Sequence, residues 1–271
     1  MIVLSTDSLK GYGLNRIFEF VKEAGYDGVD LFMDPRDFDT QDADYVKKLV
    51  DQYHLPVVSL QTPQNATARD IVDSVTMAKK IGTKVIVVQP PKMFNFKYIK
   101  WLTSEVPKIR QREEISIALE NAPSGTFLGI IPEHAMNNLN ELRKFKHASL
   151  DTTRVAQKKE DLIRVYHILR KFLVHVHVSN VKKGKGYAMP DEGILPLESF
   201  LTKLKQEGYR GAVSFKIHPK FIHAGDHEKV LKNMAECKKF YTDYFVKIET
   251  LPGVERETDQ VADGGDDGPL V

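Results

Sequence analysis

Seven polar residues close seven short apolar runs at near-equal steps along this 271-residue chain: Asp30, Gln61, Gln89, Glu120, Asp151, His177 and Lys216. The steps are 31, 28, 31, 31, 26 and 39 residues. Runs such as PVVSLQTP and KVIVVQPP are rich in Val and stopped by Pro, which predicts strands; the continuous Val/Ile run of KVIVVQPP indicates burial on both faces, as in a parallel sheet. Between the runs lie stretches of helical spacing. In LNRIFEFVKEAG, for example, Leu14, Ile17, Phe18 and Val21 share a face and Gly25 ends the turn. Strand and helix alternate eight times, a pattern that calls for a parallel sheet joined by crossover helices. A closed (β/α)8 barrel spends about 250 residues on eight units, roughly 31 each, and carries its chemistry at the C-terminal strand ends. The repeat therefore predicts an α/β fold, a (β/α)8 TIM barrel, with the polar strand ends gathered at one mouth. An open doubly wound sheet alternates too, but no GxGxxG or GxxxxGK loop occurs, so no nucleotide cofactor is expected.

Strands are predicted at Ile2–Ser5, 28–33, 56–63, 84–91, 115–123, 147–153, 173–180 and 211–219. The fourth helix is expected to bend or break at Pro107, and the fifth to run over 132–145 with Pro132 in its first turn. Residues 1–248 read as a single TIM-barrel domain. Residues 249–271 are rich in Gly, Asp and Pro with little to bury, and read as a flexible acidic tail.

Composition narrows the function classes. Net charge is +2 on 39 basic and 37 acidic residues, without the basic excess of a protein built around a phosphate backbone. A single cysteine, Cys237, rules out an internal disulfide and fits a reducing compartment. No apolar run approaches the ~18 residues of a membrane span, and the first residues do not read as a secretory signal. The expectation is a cytoplasmic protein with a small-molecule partner, no nucleic acid and no membrane; the reading leaves room for a homodimer.

Residues two apart on a strand face the same way. That puts Glu120 with Ala118 and Ala122, Asp151 with Ser149 and Thr153, His177 with His175 and Ser179, and Lys216 with Ser214 and His218. The alternate residues Leu119, Leu150, Val176 and Phe215 are apolar and predicted to meet the helices. Ionised groups inside a barrel are costly unless paired or metal-bound. Glu120, Asp151, His177 and Lys216 on neighbouring strands can compensate one another, or the first three can hold a divalent metal (Mn, Mg, Co or Zn) through oxygen-rich ligation. His175, one layer below His177, is expected to be a hydrogen-bonded core residue.

GYDGVDLF, AKKIGTKVIVVQP, ALENAP, SLDTTRVA and VHVSNVKKG, in this order over about residues 1–245, resemble the xylose isomerase-like TIM-barrel superfamily, which includes sugar isomerases and epimerases and a class of abasic-site endonucleases. The resemblance implies a small carbohydrate or cyclitol partner and a divalent metal held by Glu, Asp, His and Glu. Glu120, Asp151 and His177 match the first three ligands. Lys216 stands where the second Glu belongs, and Arg154 where the family often has His. Gln61 and Gln89 occupy positions that are His in the multi-metal endonuclease branch, which argues against that activity. The resemblance and the strand-end pattern together nominate Asp30, Gln61, Gln89, Arg154, Lys183 and His218 as substrate-binding. They nominate Glu120 as a general base and Lys216 as a fixed cation that polarises a carbonyl. A protonated Lys216 cannot ligate a metal and repels a divalent ion, so the pocket is also read without metal, with Lys216 bridging Glu120 and Asp151. A catalytically degenerate barrel that serves as a ligand- or protein-binding module is the alternative. A Schiff base at Lys216 would require a lowered amine pKa.

Overall fold

Eight parallel strands close into a barrel in this computed structural model, which describes residues 1–127 and 129–251. They are β1 (Ile2–Ser5), β2 (Gly28–Phe32), β3 (Val57–Gln61), β4 (Val85–Val88), β5 (Ser116–Glu120), β6 (Ala148–Asp151), β7 (Leu173–Val178) and β8 (Ala212–Phe215). Each pairs with its neighbours in chain order, and β8 returns to β1 through Val3 opposite Ser214. Each expected strand is present; β1 has the expected bounds, and the other seven are shortened. Of the acidic tail expected over 249–271, residues 252–271 lie outside the described residues.

The helices follow from local signals. The helix Leu14–Glu23 (α1) ends before Gly25, whose φ of 66° suits a residue without Cβ. Next is Ala43–Tyr53 (α2). Ala68–Ile81 (α3) opens on a capping box between Thr67 and Asp70 and closes on Gly82 at φ 79°. The expected break near Pro107 separates Phe96–Ser104 (α4) from Val106–Glu113 (α5), because proline fits a first helical turn and not an interior. The remaining helices are Leu139–Lys144 (α6), Thr152–Gln157 (α7), Leu162–Leu169 (α8), Leu197–Gln206 (α9) and His227–Tyr241 (α10).

Two local expectations need correction. The helix predicted over 132–145 begins only at Leu139, where Asn138 and Glu141 form a capping box; Pro132 instead sits in a two-residue strand opposite Thr126. The sixth strand stops at Asp151 and not at Thr153, because the Asp151 carboxylate caps the turn that starts α7. After the seventh strand the chain forms an antiparallel ribbon in which Asn180–Lys182 pairs with Lys185–Ala188.

Alternation sorts the side chains. Leu31, Leu60, Ile86, Leu119, Leu150, Val176 and Phe215 form one apolar cluster with helix residues such as Phe18, Ile71, Leu102, Tyr166, Phe200 and Met234. That cluster is the shell between sheet and helices. The opposite strand faces carry Asp30, Ser59, Glu120, Ser149, Asp151, His175, His177 and Ser214, all fully buried, and these fill the barrel axis. Register stacks them: Asp30 lies opposite Ser59, Asp151 opposite His177, and His177 opposite Ser214.

Candidate functional site

Two layers of polar groups meet under the C-terminal mouth. In the lower one, His177 is clamped between carboxylates. Its Nε2 lies 2.7 Å from Asp30 Oδ2, and its Nδ1 contacts Glu120 Oε1. Asp30 also accepts hydrogen bonds from Ser59 Oγ at 2.7 Å and Ser214 Oγ at 2.8 Å. Burial opposes charge on the imidazole, but Glu120 and Asp30 outweigh it and lift its pKa to about 9, so it stays protonated at neutral pH. Burial likewise opposes ionisation of Asp30, and the two histidines, His177 foremost, hold its carboxyl well below the usual range. His175 is a correction. It stacks edge-on against His177, but its Nε2 is 3.7 Å from Asp30 and neither ring nitrogen makes a hydrogen bond among the described residues.

The upper layer is built around Arg154. Its Nη1 lies 2.7 Å from Glu120 Oε2 and donates to the Asn121 carbonyl at 2.9 Å. Its Nη2 donates to Gln89 Oε1 at 2.8 Å, and Gln89 Nε2 donates onward to Glu120 Oε2 at 3.0 Å. Burial works against the Glu120 charge, but Arg154, His177 and Lys216 drive its pKa below the ordinary carboxylate range. Burial also works against the guanidinium, and Glu120 more than restores it. Asp151 faces Arg154 Nε at 3.7 Å, and its Oδ2 accepts from the Tyr187 hydroxyl at 3.2 Å. Asn121 aligns β5 with β6: its side chain accepts from Asp151 N at 2.7 Å and donates to Asp151 O at 3.1 Å.

Lys216 does not bridge Glu120 and Asp151 as expected. Arg154 and His177 have taken the Glu120 oxygens, and Tyr187 has taken Asp151 Oδ2. The Lys216 ammonium lies 5.7 Å from the centre of the Tyr187 ring and forms no hydrogen bond or ion pair within the described residues, although Lys216 is only 6% exposed. Burial lowers its pKa, and Glu120, Tyr187 and Asp151 together raise it above the ordinary lysine value, which disfavours the neutral amine a Schiff base needs.

Above these layers opens a pocket of about 640 Å3, a size typical of small-molecule sites. Gln61, Gln89, Arg154, Lys216 and His218 line it, together with Tyr187, Thr62, Lys10 and Asp34. The Gln61 Oε1 and Thr62 Oγ1 atoms on its wall are buried without a hydrogen-bond partner. Asp30, Glu120, Asp151 and His177 lie beneath the pocket and support its floor. Lys183 is absent from its lining, because it occupies the left-handed turn of the ribbon at φ 49°. Tyr187 and Asn121 went unmarked in the sequence. Asn121 follows a strand-end Glu, a position worth noting; Tyr187, at φ 60° inside the ribbon, leaves no signal in KKGKGYAMP. A larger cavity of about 780 Å3 opens at the opposite barrel end beside Lys84, Ile115, His147 and Phe172, where strands begin and where barrel chemistry does not sit.

Among the described residues, two carboxylate–histidine groups have ligand atoms within 4.8 Å of one another: Glu120, Asp151 and His177, and Asp30, His175 and His177. No helix among the described residues is long and apolar enough to cross a membrane.

A family profile described as the xylose isomerase-like TIM barrel matches residues 18–239. The chain belongs to the xylose isomerase-like TIM barrel family. An uncharacterized protein of Mycobacterium leprae is 23% identical over 90% of this chain and 97% of its own length. Among solved structures of the xylose isomerase-like fold, the 3-keto-D-glucoside 4-epimerase of E. coli superposes with a TM-score of 0.69 at 18% identity, covering 88% of this chain and 98% of that one. The IOLI protein with a binding zinc atom superposes with a TM-score of 0.70 at 16% identity, covering 90% and 99%. At such identities the structural likeness speaks for the fold alone.

Proposed function

We propose that this xylose isomerase-like barrel takes a small carbohydrate or cyclitol into its mouth, with Arg154 and Lys216 supplying the positive charge that a divalent ion supplies in a metal-dependent relative. The observation that carries this reading is the Lys216 ammonium, buried and without a hydrogen bond or ion pair among the described residues, on the wall of the pocket that also holds the unpartnered Gln61 Oε1 and Thr62 Oγ1. A charge on a largely buried side chain is costly when unpaired, and a polyhydroxylated ligand in the pocket offers acceptors to that ammonium. The epimerase named among the similar structures acts on a sugar derivative, which agrees with this choice of ligand.

The residues present do not fit a divalent ion. Both ring nitrogens of His177 face carboxylates, both oxygens of Glu120 are engaged, and the Arg154 guanidinium lies 2.7 Å from Glu120. An ion among Glu120, Asp151 and His177 would lie beside the Arg154 guanidinium and compete with it for Glu120. In our reading Asp30 and Glu120 are paired instead with His177 and Arg154, Asp151 bonds Tyr187 and faces Arg154, and Lys216 is left facing the pocket.

Lys216, facing the pocket, is suited to polarise a ligand carbonyl as a preorganised cation. Glu120 can accept a proton from a ligand only by releasing one of its partners. Its full enclosure favours a second reading, binding without turnover.

Elemental analysis of the purified protein, calorimetric titration with aldoses, ketoses, cyclitols and their acid derivatives, and an NMR turnover assay test the proposal. The expected result is far less than one metal ion per chain and saturable binding that Lys216→Met weakens about tenfold or more, the worth of a lost charge-assisted hydrogen bond. Stoichiometric Mn, Co or Zn required for binding would overturn it, as would no binding across the panel. Turnover separates the enzyme from the binding module.

A further inference from the structure

We infer that the ligand of the mouth pocket is a sugar acid, and that Lys216 pairs with its carboxylate. This inference rests on the carbohydrate reading above and adds a charge to the ligand.

Counting where each cation is spent leads to it. The pocket wall carries Lys10, Arg36, Arg154 and Lys216 against two carboxylates, Asp7 and Asp34. Asp34 is shared by Lys10 at 2.7 Å and Arg36 at 3.2 Å. Arg154 is committed to Glu120, and the His177 imidazolium beneath is committed to Glu120 and Asp30. Lys216 is left with no protein anion within ion-pair distance among the described residues, and it is buried. A neutral hydroxyl can accept one of its hydrogens, but only an anion offsets its charge at close range.

The remaining wall specifies the rest of the ligand. Gln61 lines the pocket, and its Oε1, which lacks a partner, can only accept a hydrogen bond, so it asks for an O–H donor. Hydroxyls beside a carboxylate describe an aldonate or a uronate. A phosphate monoester is a poorer match. Phosphate sites gather several backbone N–H groups at a glycine-rich turn and helix start, and this wall offers one ammonium as a compact charge.

Calorimetric titration of the intact protein with D-glucuronate, D-galacturonate and D-gluconate, against D-glucose, D-galactose, D-glucitol and D-glucose 6-phosphate, tests the inference. At least one acid should bind about tenfold or more tightly than its neutral counterpart, as expected for a charge-assisted pair. That ratio should fall to about one in Lys216→Met and survive in Lys216→Arg. If Lys216→Met does not fold, as judged by circular dichroism, the wild-type ratio read at about 0.05 M and about 0.5 M NaCl decides, because screening must shrink it. Equal affinity for acids and neutral sugars overturns the sugar-acid inference and leaves the carbohydrate reading standing. Tighter binding of the phosphate than of every acid overturns the carboxylate assignment. No binding by any of the seven compounds overturns both.

Discussion

Arg154 Nη1 lies 2.7 Å from Oε2 of Glu120, and both side chains are out of solvent. Glu120 ends β5, and Arg154 sits on α7, the short helix capped by Asp151. The pair therefore ties a strand end to the helix that follows the next strand, with Gln89 from the β4 side bonded to both partners. Such a pair need not add net stability, since desolvation offsets its attraction, but removing one member strands the other in a low-dielectric interior.

Arg154→Met should accordingly lower the unfolding free energy by about 3–5 kcal/mol, the usual cost of breaking a buried pair. Combining it with Glu120→Gln should restore part of that loss, because no charge is then left unpaired. Urea denaturation of both variants measures this. A single variant as stable as wild type would mean that water reaches Glu120.

Asn121→Ala removes the bonds that align Asp151 N and O with β5. A buried N–H left unmade costs about 1–3 kcal/mol. The variant should lose that much in urea. It should also bind sugar more weakly, since Asp151 would no longer cap α7 in the position that aims Arg154.

The clamped imidazolium gives stability a pH dependence. His177 titrates near 9 in the folded chain, against about 6.5 when unfolded. A raised folded pKa means that the contribution is fully present below about pH 6.5 and disappears as pH climbs through 9. The gap corresponds to roughly 3 kcal/mol at most, since one unit is about 1.4 kcal/mol. Denaturation midpoints should fall between pH 7 and 9 in wild type, and much less in His177→Gln. On the acid side the sign reverses: Asp30 and Glu120 have lowered folded pKa values, so their contribution is present above their unfolded pKa values and fades as pH falls below them.

Placing at 216 and 154 the Glu and His that the family resemblance leads one to expect there should create a metal site. Lys216→Glu combined with Arg154→His should raise the melting temperature when Mn or Zn is added, and about 2.7 kcal/mol of stabilisation is expected at a hundredfold excess over Kd. Wild type should show no such shift. A wild-type protein that gains as much would contradict the metal-free reading.

The eight-unit repeat was legible because each strand must be apolar along its outer face and each crossover helix must be long enough to return, so the spacing of strand ends records barrel geometry directly. Val85–Val88 and Leu173–Val178 needed nothing beyond their residue types. Boundaries were less visible where one residue serves two elements: Asp151 ends a strand and caps a helix, so the Thr residues after it looked like more strand. The polar strand ends could likewise be assigned to one mouth by alternation, and Glu120, Asp151 and His177 do lie together in the barrel.

Pairing among those groups was decided by tertiary structure. The sequence determined which charges enter the barrel and at which layer, because side-chain direction on a strand follows its period of two. It left open whether Lys216 or Arg154 reaches Glu120, since the two stand 96 and 34 residues beyond it and approach from different elements. Closure of the barrel and the start of α7 at Thr152 brought the guanidinium to Glu120 and turned the ammonium toward the pocket. Short-range electrostatics depends on separations of a few ångströms, and those exist only once the ring of strands is closed.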